Sequence, residues 1–185
     1  VARNYIKKYD DEIKKLILTG PPCKNPAVHL GLALAKVQKK IKGDKYRSEE
    51  IQKMAFGPFD KIFQGEPQSS WICSDREIVD KYNQSDLCGF TFTTDAFEGL
   101  FLLLKGTYSK KGWDLKNKQL PVLFLGGEKD LCIGNGRKFV QEMQFLKQVG
   151  YENVTGKIYP GMRHEILNEK GKEEVYENIL RYLEK

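Results

Sequence analysis

A parallel α/β sheet carrying a long helical insertion is the fold this sequence predicts, and three observations predict it. Short apolar runs of strand type recur at Ile13 to Leu18, Pro121 to Leu125 and Val154 to Tyr159. Helical patterns alternate with these runs, as in βαβ units. Between the first run and the second the strand pattern disappears, and helical segments joined by Gly-, Pro- and Ser-rich connectors replace it. The expected organisation is a core from residues 1–20 and 112–185, with an insertion at 21–111.

Taken in order, Val1, Ala2, Tyr5, Ile6 and Tyr9 recur at helical spacing. No Ser, Thr, Asp or Asn precedes them as a cap, so this helix is expected to continue upstream of Val1. The strand at Ile13 to Leu18 is closed by Thr19-Gly20-Pro21-Pro22. In the insertion, helices are expected at Ala27 to Ile41, Glu49 to Phe56, Asp75 to Tyr82 and Thr94 to Leu104, with Gly57-Pro58 read as a connector. The alternation resumes with a strand at Pro121 to Leu125 and a helix at Asn135 to Val149. A strand at Val154 to Tyr159 and a helix at Lys172 to Lys185 complete it. Val140, Met143 and Leu146 give the first of these helices an apolar face, and Val175, Ile179 and Tyr182 the second.

The formal charge of +6 arises from 31 basic and 25 acidic residues. Most lysines stand beside acids on helices, as in Glu169-Lys170-Gly171-Lys172-Glu173-Glu174, which describes solvated faces and not a nucleic-acid surface. No apolar run approaches the roughly 18 residues of a membrane span. The four cysteines, Cys23, Cys73, Cys88 and Cys132, lack Cys-x-x-Cys spacing. Neither zinc nor a disulfide framework is expected, and a cytoplasmic setting is. Gly126-Gly127 and Gly134-Asn135-Gly136 fit neither dinucleotide nor Walker spacing, so no cofactor is expected.

The chemistry-bearing residues follow two strand ends. Asp130 comes after Gly126-Gly127-Glu128-Lys129, and His164 after Gly161-Met162-Arg163. Carboxyl ends of adjacent parallel strands share one edge, where ligands bind. An imidazole there needs a carboxylate to hold its tautomer, and strand-Asp, helix, strand-His is the order of the last two members of a Ser-Asp-His triad. The alternative is structural, with Asp130 capping the helix near Asn135 and His164 capping the last helix. Glu128 is a rival acid, two residues nearer its strand. His29, on an apolar helix, reads as a structural histidine, Cys132 as a packing residue, and Arg163 and Glu165 as surface ion-pair formers. The triad's first member is missing, because no Gly-x-Ser-x-Gly occurs.

With these residues assembled, the chain resembles the lysophospholipase and monoacylglycerol-lipase-like branch of the α/β-hydrolases. The resemblance runs from Leu120-Pro121-Val122-Leu123-Phe124-Leu125 through Gly127-Glu128-Lys129-Asp130 to Tyr159-Pro160-Gly161-Met162-Arg163-His164-Glu165-Ile166-Leu167-Asn168-Glu169. Lys45-Tyr46-Arg47, Trp71-Ile72-Cys73-Ser74-Asp75 and Asp86-Leu87-Cys88-Gly89-Phe90-Thr91 are similar to that branch's cap. Leu131 stands where the family often has proline. The resemblance implies the C-terminal half of an α/β-hydrolase sheet, with the serine in a Gly-His-Ser-Met-Gly-like elbow just before the helix at Val1. It implies cleavage of lipid carboxylic esters, of monoacylglycerol or lysophospholipid type, with His164 as base and Asp130 as its partner. The 185 residues alone would then be inactive.

In the cap, Phe56, Phe59, Phe90, Phe92 and Phe97 are the candidate pocket liners, with plain cap core as the alternative. Val28, Leu32 and Ala35 could touch acyl chains at a membrane surface while Lys36, Lys39 and Lys40 meet anionic headgroups, but a helix packed on the main domain is the favoured reading. A non-catalytic lipid- or partner-binding module is the alternative, with an exposed sheet edge that invites self-association.

Overall fold

The protein's structure, a computed structural model, describes residues 1–185. Three parallel strands form its sheet in the order β1 (Leu16–Thr19), β2 (Val122–Gly127), β3 (Val154–Tyr159). Leu16 pairs with Val122 and Val122 with Val154, while Gly127 pairs with Tyr159. That register brings the carboxyl ends of all three strands to one edge.

β2 is buried along its whole length, as its unbroken apolar run requires of a central parallel strand. Successive side chains alternate between two cores. Val122 and Phe124 join Ile6 of α1 (Ala2–Tyr9) and Phe139 and Leu146 of α6 (Gly136–Val149). Leu123 and Leu125 face the other way, onto Tyr159, Ile166 and Val175 of α7 (Lys172–Glu184). The sheet is thus covered on both faces, as in a partial α/β-hydrolase fold. A buried ion pair between Arg3 and Glu142, 2.5 Å, ties α1 to α6.

Between β1 and β2 lie α2 (Val28–Lys42), α3 (Glu49–Ile62), α4 (Arg76–Gln84) and α5 (Thr94–Thr107). They enclose a separate core of Val28, Leu32, Ala35, Ile51, Phe97 and Phe101. Ser48, Asp75 and Thr93 each accept a backbone N–H at the start of α3, α4 and α5, respectively. No helix is long and apolar enough to cross a membrane.

Three expectations need correction. Gly57-Pro58 is not a connector but lies inside α3, which runs on to Ile62. The proline forfeits one helical hydrogen bond, yet the last turns hold because Phe56 stacks on Trp71 (centroids 6.1 Å apart) and Phe59 meets the same ring edge-on (5.3 Å). Val28, Leu32 and Ala35 do not face outward, since the insertion buries them in its core; the large apolar residues that α2 exposes are Leu30, Val37 and Ile41. β1 begins at Leu16 and not Ile13, because its only ladder partner starts at Val122.

α2 and α5 approach closely at Gly31, where an added Cβ would lie 2.7 Å from the Phe101 ring. That ring is stacked against Phe97 and has little room to retreat. Gly31→Val is expected to cost about 1–3 kcal/mol by overpacking, read as a lower urea midpoint at unchanged slope.

Candidate active site

The site is assembled from the loops that follow β2 and β3. At the end of β2, Gly127 leaves no room for a side chain: a Cβ there would lie 2.2 Å from the carbonyl oxygens of both Met162 and Arg163. The backbone amides of Glu128 and Lys129 continue the contact, donating to Tyr159 O and Met162 O at 2.9 Å each. The loop bearing Asp130 is therefore seated directly on the loop bearing His164.

Asp130 is 1% exposed, and each of its carboxylate oxygens lies 3.1 Å from His164 Nδ1. Oδ1 also accepts the Cys132 N–H at 2.8 Å. Neither residue caps a helix. Asn135 caps α6 through its own side chain, accepting Lys138 N–H at 2.9 Å, and α7 starts after Gly171. Glu128, the rival acid, is turned away from the imidazole and accepts Gly161 N–H at 2.9 Å. His29 is not a core histidine but an exposed residue of α2.

Two contacts on His164 had no signal in the sequence. Gly20, just past β1 with φ +53°, lies so close that a Cβ would stand 2.7 Å from His164 Cε1 and 3.2 Å from Asp130 Oδ2. Thr19-Gly20-Pro21-Pro22 reads only as a strand stop; its place against the pair follows from the register of β1 on β2. Trp71, from the loop after α3, sets its ring 5.5 Å from the imidazole, centroid to centroid. The imidazole makes no hydrogen bond through Nε2, which is the nitrogen left for an incoming group.

Burial is the largest single influence on His164 and opposes its charge. Hydrogen bonding and attraction to Asp130 and Cys132 together outweigh it, so the imidazolium persists up to about 10. Asp130, Cys132 and His164 also form the one group of three metal-ligating side chains whose ligand atoms all lie within 4.8 Å of one another. Two of the three are already engaged with each other.

A cavity of about 360 Å³ is walled by Trp71 together with Phe56, Tyr82, Phe90 and Phe92. Of the five phenylalanines expected there, Phe59 and Phe97 do not line it. Phe59 backs Trp71, and Phe97 lies fully buried in the insertion core behind Phe92. A second apolar cavity, about 280 Å³, lies between the start of α1, the end of β1 and Leu100, Leu103 and Leu104 of α5.

Two outcomes follow from this geometry. Gly127→Ala must push the two loops apart, and it is expected to lower stability by about 1–3 kcal/mol and to shift the His164 ring resonances in NMR spectra. A spectrum like that of the parent would contradict the close approach. The His164 resonances should also titrate with a midpoint near 10, against 6.5 for the ordinary side chain. The folded value is the higher one, so the stability this charge contributes is complete below about pH 6.5 and is lost as pH rises towards 10. Asp130→Asn should bring the midpoint down.

Solved structures of similar fold include a thermostable carboxyl esterase from Bacillus coagulans in complex with glycerol, at 23% identity and a TM-score of 0.82. A monoacylglycerol lipase from Paleococcus ferrophilus follows at 19% and 0.69. A soluble variant of monoglyceride lipase from Saccharomyces cerevisiae, in complex with a substrate analog, gives 16% and 0.64. The three alignments cover 99%, 98% and 98% of this chain but only 60%, 63% and 56% of those chains, so it spans about three-fifths of their length. No curated protein sequence matches it. Residues 1–171 match the model of the α/β-hydrolase family described as Serine aminopeptidase, S33, and the chain belongs to that family.

Proposed function

We propose that the protein carrying this chain is a serine hydrolase that cleaves carboxylic esters of lipids, of the monoacylglycerol or lysophospholipid type. The observation that carries this reading is His164 Nδ1 held by both oxygens of a buried Asp130, with Nε2 free at the carboxyl edge of a parallel sheet. In this role Nε2 takes the proton of a serine hydroxyl as its oxygen attacks the ester carbonyl, then delivers that proton to the departing alcohol. Asp130 holds the ring and stabilises the imidazolium in between. Water repeats the two steps on the acyl-enzyme and releases the acid.

No serine of these 185 residues hydrogen-bonds His164, and the chain spans about 60% of the Bacillus coagulans esterase. The nucleophile in this reading comes from outside the 185 residues, which alone are inactive. The insertion, residues 21–111, acts as a cap. Its cavity, with Phe56, Trp71, Phe90 and Phe92 on the wall, offers apolar surface suited to an alkyl chain. Leu30, Val37 and Ile41 stand exposed along α2, a helix that also exposes Lys36 and Lys40, which suits an anionic lipid surface.

A fluorophosphonate probe tests the reading. The protein carrying this chain should acquire one adduct, and His164→Ala should abolish both the adduct and the hydrolysis of a monoacylglycerol. Unchanged turnover in that variant would sink the assignment. Asp130→Asn should cost roughly ten-thousand-fold in kcat, the scale of the equivalent change in a serine protease. A small loss would return Glu128 to consideration. Because His164 keeps its proton to about 10, activity should climb as pH rises through the alkaline range. A profile already flat from pH 6 upward would contradict it.

A further inference from the structure

The residue before His164 has its backbone in the sheet domain and its side chain in the insertion. The carbonyl of Arg163 lies against Gly127, and its N–H donates to Glu169 Oε1 at 2.7 Å. The guanidinium is 8% exposed by residue and points the other way. Nη1 and Nη2 donate to the two carboxylate oxygens of Glu66 at 2.7 and 2.8 Å. Nη1 also reaches the carbonyls of Ser70 (2.5 Å) and Cys73 (3.3 Å). Cζ lies 4.0 Å from the centroid of the Phe63 ring. Phe63 is the C-cap of α3, so the cation also sits at the negative end of that helix.

All four partners come from residues 63–73, and the same stretch carries Trp71. Neighbouring bonds run in parallel: Glu165 N–H donates to Ile72 O at 2.7 Å, and both the amide and the hydroxyl of Ser74 donate to Glu169. Glu165 and Glu169 bind through one amide and one carboxylate. Arg163 alone grips the segment through a planar fork with several bonds at once, a geometry that lysine cannot reproduce.

We propose that Arg163 is a positioning residue that fixes the cap's aromatic cavity relative to His164. By holding residues 63–73 on the His164 loop it keeps Trp71, the wall shared by cavity and imidazole, at one distance from the base. An acyl chain in the cavity then presents its carbonyl in register with Nε2. The inference rests on the reading of His164 as the general base and of the aromatic cavity as the acyl site.

The test compares a long-chain monoacylglycerol with an acetate ester too short to fill the cavity, in the protein carrying this chain. Arg163→Lys and Glu66→Gln are made singly and together, with thermal melting recorded for each. Glu66→Gln is the variant that leaves folding least disturbed, since its side chain is 44% exposed and the change is isosteric. Each single variant is expected to lose about 100-fold in kcat/KM on the long ester, the scale of a misplaced reacting group, and about tenfold or less on acetate. The double variant should lose little more than either single one. Equal losses on both esters, or none on the long one, would overturn the inference. His164→Ala, measured alongside, separates the two failures: if that variant is active the base assignment falls, and if it is inactive while the Glu66 and Arg163 variants match the parent, only the positioning role falls.

Discussion

Everything at the sheet's carboxyl edge depends on one steric constraint, the backbone-to-backbone approach at Gly127. Two consecutive carbonyls, those of Met162 and Arg163, occupy the space where a side chain would stand. This is a matter of close packing and not of unusual dihedral angles. It sets the distance between two loops that backbone hydrogen bonds from Glu128 and Lys129 then hold together. Given that distance, the Asp130 carboxylate reaches His164 Nδ1 with both oxygens, and Gly20 closes the remaining side. A site placed by absent side chains is rigid for a physical reason, because backbone cannot rotate out of the way as a rotamer can.

Electrostatics then acts on the geometry that sterics has set. Desolvation works against the charge on His164, and Asp130 and Cys132 together reverse the outcome. Asp130 itself is tolerated at full burial because it accepts the Cys132 amide and faces the imidazole through both oxygens. The same logic operates at Arg163, where a charged group is sealed in between two halves of the molecule with a carboxylate, two carbonyls and a ring around it. Truncating one partner of such a cluster leaves the others buried and unpaired. The base and its neighbour are thus each fixed by a partner from a different element.

What could be read in the sequence divides along a physical line. β2, β3 and α5 to α7 were legible because burial on both faces of a strand, or on one stripe of a helix, leaves a periodic apolar trace. Asp130 and His164 were legible because each follows its strand within a few residues, so local order was enough to place them on one edge. The failures all required knowledge of a distant neighbour. Gly57-Pro58 stays helical because Trp71, far along the chain, supplies the aromatic packing for the last turns. Phe97 and Phe92 look alike in sequence, and only the packing of α2 against α5 decides which is core and which is wall. Gly20 and Trp71 touch the imidazole through strand register and loop docking, neither of which has a motif. Arg163 reads as a surface cation because the acid it pairs with, Glu66, lies in another unit of the fold.

That division has a consequence for how the reaction is chosen. The Serine aminopeptidase, S33 family description names an amide-cleaving activity, whereas the solved structures of similar fold include esterases and lipases. An imidazole and a carboxylate at a sheet edge serve either acyl transfer, so the edge does not discriminate between them. In the proposed reading, discrimination falls to the insertion, whose aromatic wall lies outside the periodic, locally readable part of the chain. Trp71 belongs to both, lining the cavity and lying 5.5 Å from His164, centroid to centroid. In the proposed reading, a change of substrate class requires remodelling of residues 49–92 while the loops at 127–130 and 161–164 stay as they are. On that reading the pieces of sequence that identify the chemistry are not the pieces that select its substrate, and a motif match in the first says little about the second.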